Sequence, residues 1–345
     1  MNVRSWERAA AYVPDGVREG RRVAAPDEDG FTMAATALER LEPTDADSPP
    51  PTAILIVGDL PPSADADLVR FSGFPIRTER FGRGATALRS ALASATEPSR
   101  SHEPIWLVAV DLLASVDAEN PPAGGVSDGA VALRIGPGET SGRPIAVSDL
   151  PAESRGSAAP LLAVGRSRIA SDPADWTGDF MPRPERMLPM SLRPRSAPPR
   201  EAPVSQGAYV PRPRYLENLS SRWRLVGERC GACGRVGYPP RGRCRACGSA
   251  DGLRPVRLPR DGAEVVATTT IGPGGQPTEF DEQVAVEGPY EVVLADLAPG
   301  ARATFQVTDA RAGEVVIGSR VGTRLRRLYP MEGEWRYGRK AVPQR

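Results

Sequence analysis

Four cysteines constrain this chain more than any other feature. They stand as Cys230-Gly-Ala-Cys233-Gly and Cys244-Arg-Ala-Cys247-Gly, with ten residues between Cys233 and Cys244. Two residues inside each pair let both sulfurs face one ion at about 2.3 Å in a tetrahedral field. Gly234 and Gly248 follow each second cysteine. Glycine tolerates positive φ there, so the knuckle can turn and aim backbone N–H groups at sulfur. The spacing predicts a four-thiolate zinc ribbon on Cys230, Cys233, Cys244 and Cys247; iron is the alternative that the geometry leaves open. Four thiolates leave no open coordination position. The expected Zn2+ is therefore structural, folding a ribbon too small for its own core rather than activating water.

Committing the cysteines excludes much other chemistry. The 345 residues hold four Cys and one His, His102. A Cys–His nucleophile, a Ser–His–Asp triad or a multi-His metal centre would each need that one histidine or a cysteine already in the ribbon. The start, Met1–Arg8, has no apolar h-region, and the apolar stretch Ala53–Val57 is far shorter than the roughly 20 residues that span a bilayer. These features predict a cytoplasmic protein with reduced thiols, which favours a metal site over disulfides.

A Pro/Arg-rich stretch from about Gly178 to Pro203 divides the chain. Prolines at this density neither continue helices nor donate to strand ladders, so the stretch is extended or wraps a surface. Charge divides near the same place. Residues 1–211 carry 22 Arg against 28 Asp and Glu; residues 212–345 carry 22 Lys and Arg against 15. Opposite signs can steer partners, although solvated faces are the plainer reading. The expected divisions are an α/β domain over 1–177, a linker over 178–211, a lead-in helix and zinc ribbon over 212–258, and a barrel over 259–345.

In the first part, residues 31–41 suit a helix with Met33, Ala37, Leu38 and Leu41 on one face, and 84–95 suit another. Residues 53–58, 105–110 and 129–135 are short apolar runs of the kind buried on both faces of a sheet. Strands alternating with helices imply a parallel or mixed sheet. In the last part, Ala263–Ile271, Tyr290–Leu297, Ala301–Val307, Glu314–Ile317 and Val321–Leu328 read as five short strands of a small Greek-key barrel.

The second half also resembles a known family. The amphipathic lead-in Tyr215–Arg229, the two knuckles, Tyr238-Pro-Pro-Arg241, Pro289–Leu297, Ile317-Gly318, Arg326-Arg-Leu328 and Tyr337-Gly-Arg are together similar to the zinc-ribbon/OB-fold family of acyl-CoA-associated proteins. The match covers about 212–342. It implies an accessory subunit that docks onto a thiolase-fold enzyme and helps place CoA-linked intermediates. The first half, over about 1–170, resembles the N-terminal half of a thiolase-fold protein of the hydroxymethylglutaryl-CoA synthase or ketoacyl synthase type. The segments that carry this likeness are Ala11-Tyr-Val-Pro14, Asp27–Met33, Phe81–Leu88, Val108-Ala-Val-Asp111 and Ser127–Gly136.

The departures from that pattern matter more. Such enzymes place a nucleophilic Cys just before a Gly-rich helix start, where the dipole lowers its pKa. The corresponding place here, near Phe81–Gly82, has no Cys, Ser or Thr, and a C-terminal thiolase half is absent. The fold class expected is an α/β thiolase-like half-domain followed by a rubredoxin-like zinc ribbon and an all-β OB-fold barrel, with no catalytic residues.

The expected function is a non-catalytic scaffold subunit of a thiolase, acyltransferase or retro-aldolase complex acting on CoA thioesters. Its partner is a thiolase-fold catalytic subunit, with an acyl-CoA shared between them. Arg324, Arg326 and Arg327 are candidates for CoA phosphates, since guanidinium forks suit bidentate phosphate; a solvated strand face is the plainer reading. Trp223, Tyr238, Tyr329 and Trp335 would stack on bases if the barrel bound nucleic acid, but core packing explains them as well. His102 reads as a surface residue and Asp111 as a structural turn. Gly272-Pro-Gly-Gly275 reads as a loop with no following helix, which makes a poor phosphate cradle. Two other functions stay open: nucleic-acid binding through ribbon and barrel, tested by salt dependence, and a self-contained CoA-ester enzyme using carboxylates or Ser.

Overall fold

A computed structural model describes residues 6–14, 16–18, 21–41, 49–112, 128–136, 158, 160–161, 176–178, 186–187, 210–331 and 333–344. The chain divides into two compact units, 1–196 and 197–345. Most of the Pro/Arg-rich stretch lies outside the described residues, and so does the first residue of the segment Ser127–Gly136.

In the first unit, β1 (Trp6–Tyr12), β2 (Gly16–Arg18) and β3 (Arg21–Val23) precede the helix α1 (Gly30–Leu41). Then come β4 (Ala53–Gly58), α2 (Ala64–Ser72), β5 (Arg77–Arg80), α3 (Gly84–Ala95), β6 (Ile105–Asp111) and β7 (Gly129–Ile135). The short strands β8 (Trp176–Gly178) and β9 (Arg186–Met187) follow. One sheet runs β5-β4-β6-β7-β1-β8, and β2, β3 and β9 form a small second one. In the large sheet β7 is antiparallel to its neighbours β6 and β1, whereas β5, β4 and β6 are mutually parallel. This is the mixed sheet in an α/β arrangement that the alternating strands and helices implied.

The apolar runs explain the sheet. Residues of β6 and β7 are buried throughout, which continuous apolar sequence permits only between two covering layers. On one face Leu55, Val57, Leu107, Ala109, Val131 and Leu133 pack against Leu88, Ala91, Leu92 and Ala95 of α3. On α1 burial exceeds expectation: every residue except Arg40 is buried, not one stripe alone. Its first residue has to be glycine, because a Cβ on Gly30 would lie 2.1 Å from the Asp59 carbonyl oxygen. No helix among the described residues is long and apolar enough to cross a membrane.

The second unit opens with two short helices, Arg212–Glu217 and Leu219–Arg224, in place of one lead-in helix. A three-stranded ribbon sheet follows, formed by β10 (Val226–Arg229), β11 (Val236–Gly237) and β12 (Arg254–Arg257) in the order β11-β10-β12. The remaining strands are β13 (Ala263–Ile271), β14 (Tyr290–Ala298), β15 (Ala301–Gln306), β16 (Arg320–Met331) and β17 (Glu334–Pro343). β13 pairs with β14 and β16, β14 with β15, and β16 with β17. A parallel bridge between Val307 and Ala341, with Thr308 N–H donating to the Ala341 carbonyl at 2.8 Å, joins the end of β15 to β17. The five strands thus close on themselves, as an OB barrel does. Val265, Val293, Ala295, Leu297, Phe305 and Val321 fill the interior.

Glu314–Ile317, expected as a strand, is a turn instead. Ser319 N–H bonds the Val316 carbonyl, Gly318 sits at φ 89°, and Val316 and Ile317 are exposed. The fifth strand is β17, whose sequence Glu-Trp-Arg-Tyr-Gly-Arg-Lys-Ala-Val-Pro hides a buried strand behind charge. The helices preceding the ribbon are tied to this strand. Trp223 Nε1–H lies 3.1 Å from both the Tyr215 hydroxyl and the Tyr337 carbonyl, and Tyr337 N–H donates to the Tyr215 hydroxyl at 2.8 Å. Arg339, whose pKa burial pushes down to about 9, donates to the Trp223 carbonyl.

Candidate functional site

The four cysteines come together as the spacing predicts. All four sulfurs lie within 4.8 Å of one another. Cys230 Sγ is 3.7 Å from Cys247 Sγ, and Cys233 Sγ is 3.6 Å from Cys244 Sγ. Tetrahedral arms of about 2.3 Å would set sulfurs about 3.8 Å apart, so the spacing fits a Zn(Cys)4 centre and is far too long for disulfides.

The two knuckles repeat one hydrogen-bond pattern. Cys230 N–H bonds the Arg235 carbonyl and Gly234 N–H the Cys230 carbonyl, at 2.9 Å each. In the second knuckle Cys244 N–H bonds the Ser249 carbonyl at 2.8 Å and Gly248 N–H the Cys244 carbonyl at 3.0 Å. Gly234 and Gly248 take φ of 72° and 76°, as the turn requires. Backbone N–H groups reach the sulfurs of Cys244 and Cys233, as such a turn allows. The N–H groups of Cys247 and Ala246 hold the Cys244 thiol down at about 6. Arg235 N–H favours the Cys233 thiolate, but sharing protons with Cys244, Cys247 and Cys230 pushes that thiol up to about 11. A metal ion would replace those shared protons.

Residues 222–252 match the family of the ChsH2 rubredoxin-like zinc ribbon domain. The chain is also 30% identical over 132 residues to a DUF35 domain-containing scaffold protein of Methanocaldococcus jannaschii, covering 38% of this chain and 89% of the relative. The chain belongs to the DUF35 family. Among solved structures, this DUF35 protein is similar to the Ltp2-ChsH2(DUF35) aldolase, with 24% identity, 40% of this chain and 98% of that chain covered, and a TM-score of 0.30. It is also similar to PksG, an HMG-CoA synthase from Bacillus subtilis, with 15% identity, 48% of this chain and 51% of that chain covered, and a TM-score of 0.34.

In the first unit of the DUF35 chain, the start of α3 is Phe81-Gly82-Arg83-Gly84. Gly82 and Gly84 both take positive φ, of 78° and 82°. Arg83, at the N-cap, pairs with Asp59 at 2.6 Å. Arg83 follows directly on Phe81–Gly82, where the thiolase pattern would place a nucleophile, and its guanidinium turns to Asp59. Asp111 is buried and accepts the Ala158 N–H at 2.8 Å, in keeping with the structural reading, and His102 is exposed in a turn.

The arginine triplet on β16 departs from the solvated face anticipated for it. Arg326 is buried and pairs with Asp309 at 2.8 Å, and Arg327 is buried with its guanidinium 4.7 Å from the Trp335 ring centre. Arg324 stays near the surface, 2.9 Å from Asp261. Every second residue of an antiparallel strand faces one side, but here a buried carboxylate and an aromatic ring make both sides polar enough to hold cations. Trp223 and Tyr329 are core residues, and the Tyr238 hydroxyl donates to the Ser221 carbonyl at 2.9 Å, with burial pushing its pKa up to about 12. The loop Gly272–Gly275 is in fact followed by helical turns, Thr278–Phe280 and Asp281–Glu287. Glycine and proline in the loop concealed them.

Proposed function

We propose that this DUF35 chain is a non-catalytic scaffold subunit that docks a thiolase-fold enzyme acting on CoA thioesters. The observation that carries this reading is the 30% identity over 132 residues to a DUF35 domain-containing scaffold protein. The segment Phe81–Gly84, which has no Cys, Ser or Thr, supports a subunit that makes no acyl-enzyme. Residues 1–177 serve as the thiolase-like half, 178–211 as a linker, 212–258 as the lead-in and ribbon, and 259–345 as the barrel. Cys230, Cys233, Cys244 and Cys247 hold a structural zinc, which supplies a cross-link and leaves no position for substrate. The partner contributes the nucleophile and shares its acyl-CoA with the complex, and assembly takes place in the cytoplasm.

The test is affinity purification of the full chain from its native host followed by mass spectrometry, with a thiolysis assay of the isolated chain. Stoichiometric recovery of a thiolase-fold enzyme and an inactive isolated chain are expected. Robust thiolysis by the isolated chain would overturn the reading. Tight oligonucleotide binding that weakens steeply with salt would favour a nucleic-acid role instead.

A further inference from the structure

The ribbon is strongly basic. Residues 226–258 contain seven arginines against Glu228 and Asp251. Four of them, Arg235, Arg241, Arg243 and Arg245, are exposed and pair with no carboxylate among the described residues. All four line one cavity of about 210 Å³ between the ribbon and the turn that joins β14 to β15. Its other wall is apolar, with Val236, Tyr238 and Leu253 exposing carbon.

The carboxylates near the cavity are engaged. Glu228 accepts the backbone N–H groups of Arg241 and Gly242 at 3.0 and 3.2 Å. Asp296 is locked to Arg302 by two bonds of 2.5 and 3.0 Å. Charge balance of the metal centre does not account for the arginines either. The sulfurs already receive backbone N–H groups from Arg235, Ala246 and Cys247. Four guanidiniums also outweigh the net double charge of a zinc tetrathiolate together with Glu228. Guanidinium forks bind phosphate oxygens in pairs, so a rim of four beside an apolar wall is complementary to a phosphate carrying an organic group.

We propose that this cavity is a phosphate site, taking the phosphate or diphosphate of a small molecule on the arginine rim and its organic part against Val236, Tyr238 and Leu253. The inference goes beyond the scaffold reading and needs no partner protein. A nucleic acid would want a continuous track of cations, whereas on the adjoining barrel surface Arg302 and Arg320 are already paired with Asp296 and Glu264.

The test is isothermal titration calorimetry of the zinc-loaded full chain with sodium pyrophosphate, ADP and CoA as probes. Saturable binding of pyrophosphate is expected, with tighter binding of ADP or CoA. The double variant R241Q/R243Q should weaken it by roughly tenfold or more while zinc content and circular dichroism stay unchanged. R254Q, on β12 and outside the cavity, should bind as the unaltered chain does. CoA binding more tightly than ADP supports the site with a coenzyme as its source, and the reverse order supports it with a free nucleotide. No saturable binding by any probe overturns the proposal, as does undiminished binding by R241Q/R243Q. Equal affinity for pyrophosphate, ADP and CoA overturns the role of the apolar wall. Displacement by oligonucleotides with affinity rising with length would replace the site with an open nucleic-acid surface. Because no probe involves a thiolase-fold enzyme, failure here leaves the scaffold reading standing, and the converse holds too.

Discussion

At the cysteine knuckles the backbone prepares each sulfur for its ion. Replacing Cys233 or Cys247 with serine removes one thiolate of four, and zinc content measured by plasma mass spectrometry is expected to fall from about one equivalent to near zero. Acid acts in the same direction. Bound sulfurs are thiolates, so protons compete with the ion, and zinc transfer to a chromophoric chelator should rise as pH falls from about 8 to about 5. The low position of the Cys244 thiol, near 6, means that one ligand needs little deprotonation at neutral pH. In the barrel, D309A would leave the buried Arg326 charge without its carboxylate. Denaturant unfolding of the second unit should show a loss of about 3–5 kcal/mol, and D309N a smaller one if its amide keeps a bond to Arg326. At this scale the clustering of the four cysteines was fully legible, because their spacing is local. The setting of Arg326 was not: its partner Asp309 lies 17 positions away, and nothing in the strand's own pattern marks it.

At the scale of elements, the strands that read clearly from sequence are those whose neighbours bury both faces. β4, β6 and β7 announce themselves as apolar runs. β5, with the sequence Arg-Thr-Glu-Arg, is an edge strand held in part by Arg77–Glu79 and Arg100–Glu79 pairs, and such a strand carries no apolar signal. β17 is opaque for a different reason: its cations are buried by partners from distant parts of the chain. The run Val315-Val316-Ile317 misleads in the other direction, because β-branched residues also occupy turns when Gly318 supplies the positive φ. Two substitutions probe the sheet and its cover. L88A, at the centre of the α3 face, should cost about 2–5 kcal/mol. G30A, forcing a Cβ into the Asp59 carbonyl, should cost about 1–3 kcal/mol. Both are read by thermal or urea unfolding of the first unit.

The whole molecule combines a unit stabilised by an extensive apolar core with one that contains a ribbon needing metal. Chelation should therefore raise amide exchange over 226–258 while protection in β4 and β6 holds, as read by hydrogen–deuterium exchange. Uniform loss of protection across both units would show that they unfold as one. A final consequence follows from the bridge between Val307 and Ala341. Where the end of β15 meets β17, no ladder edge is left for another polypeptide, so recognition at that point runs through side chains and loops rather than through an added strand. Specificity there resides in individual residues that selection can alter one by one, and the same join guards that edge against edge-to-edge polymerisation.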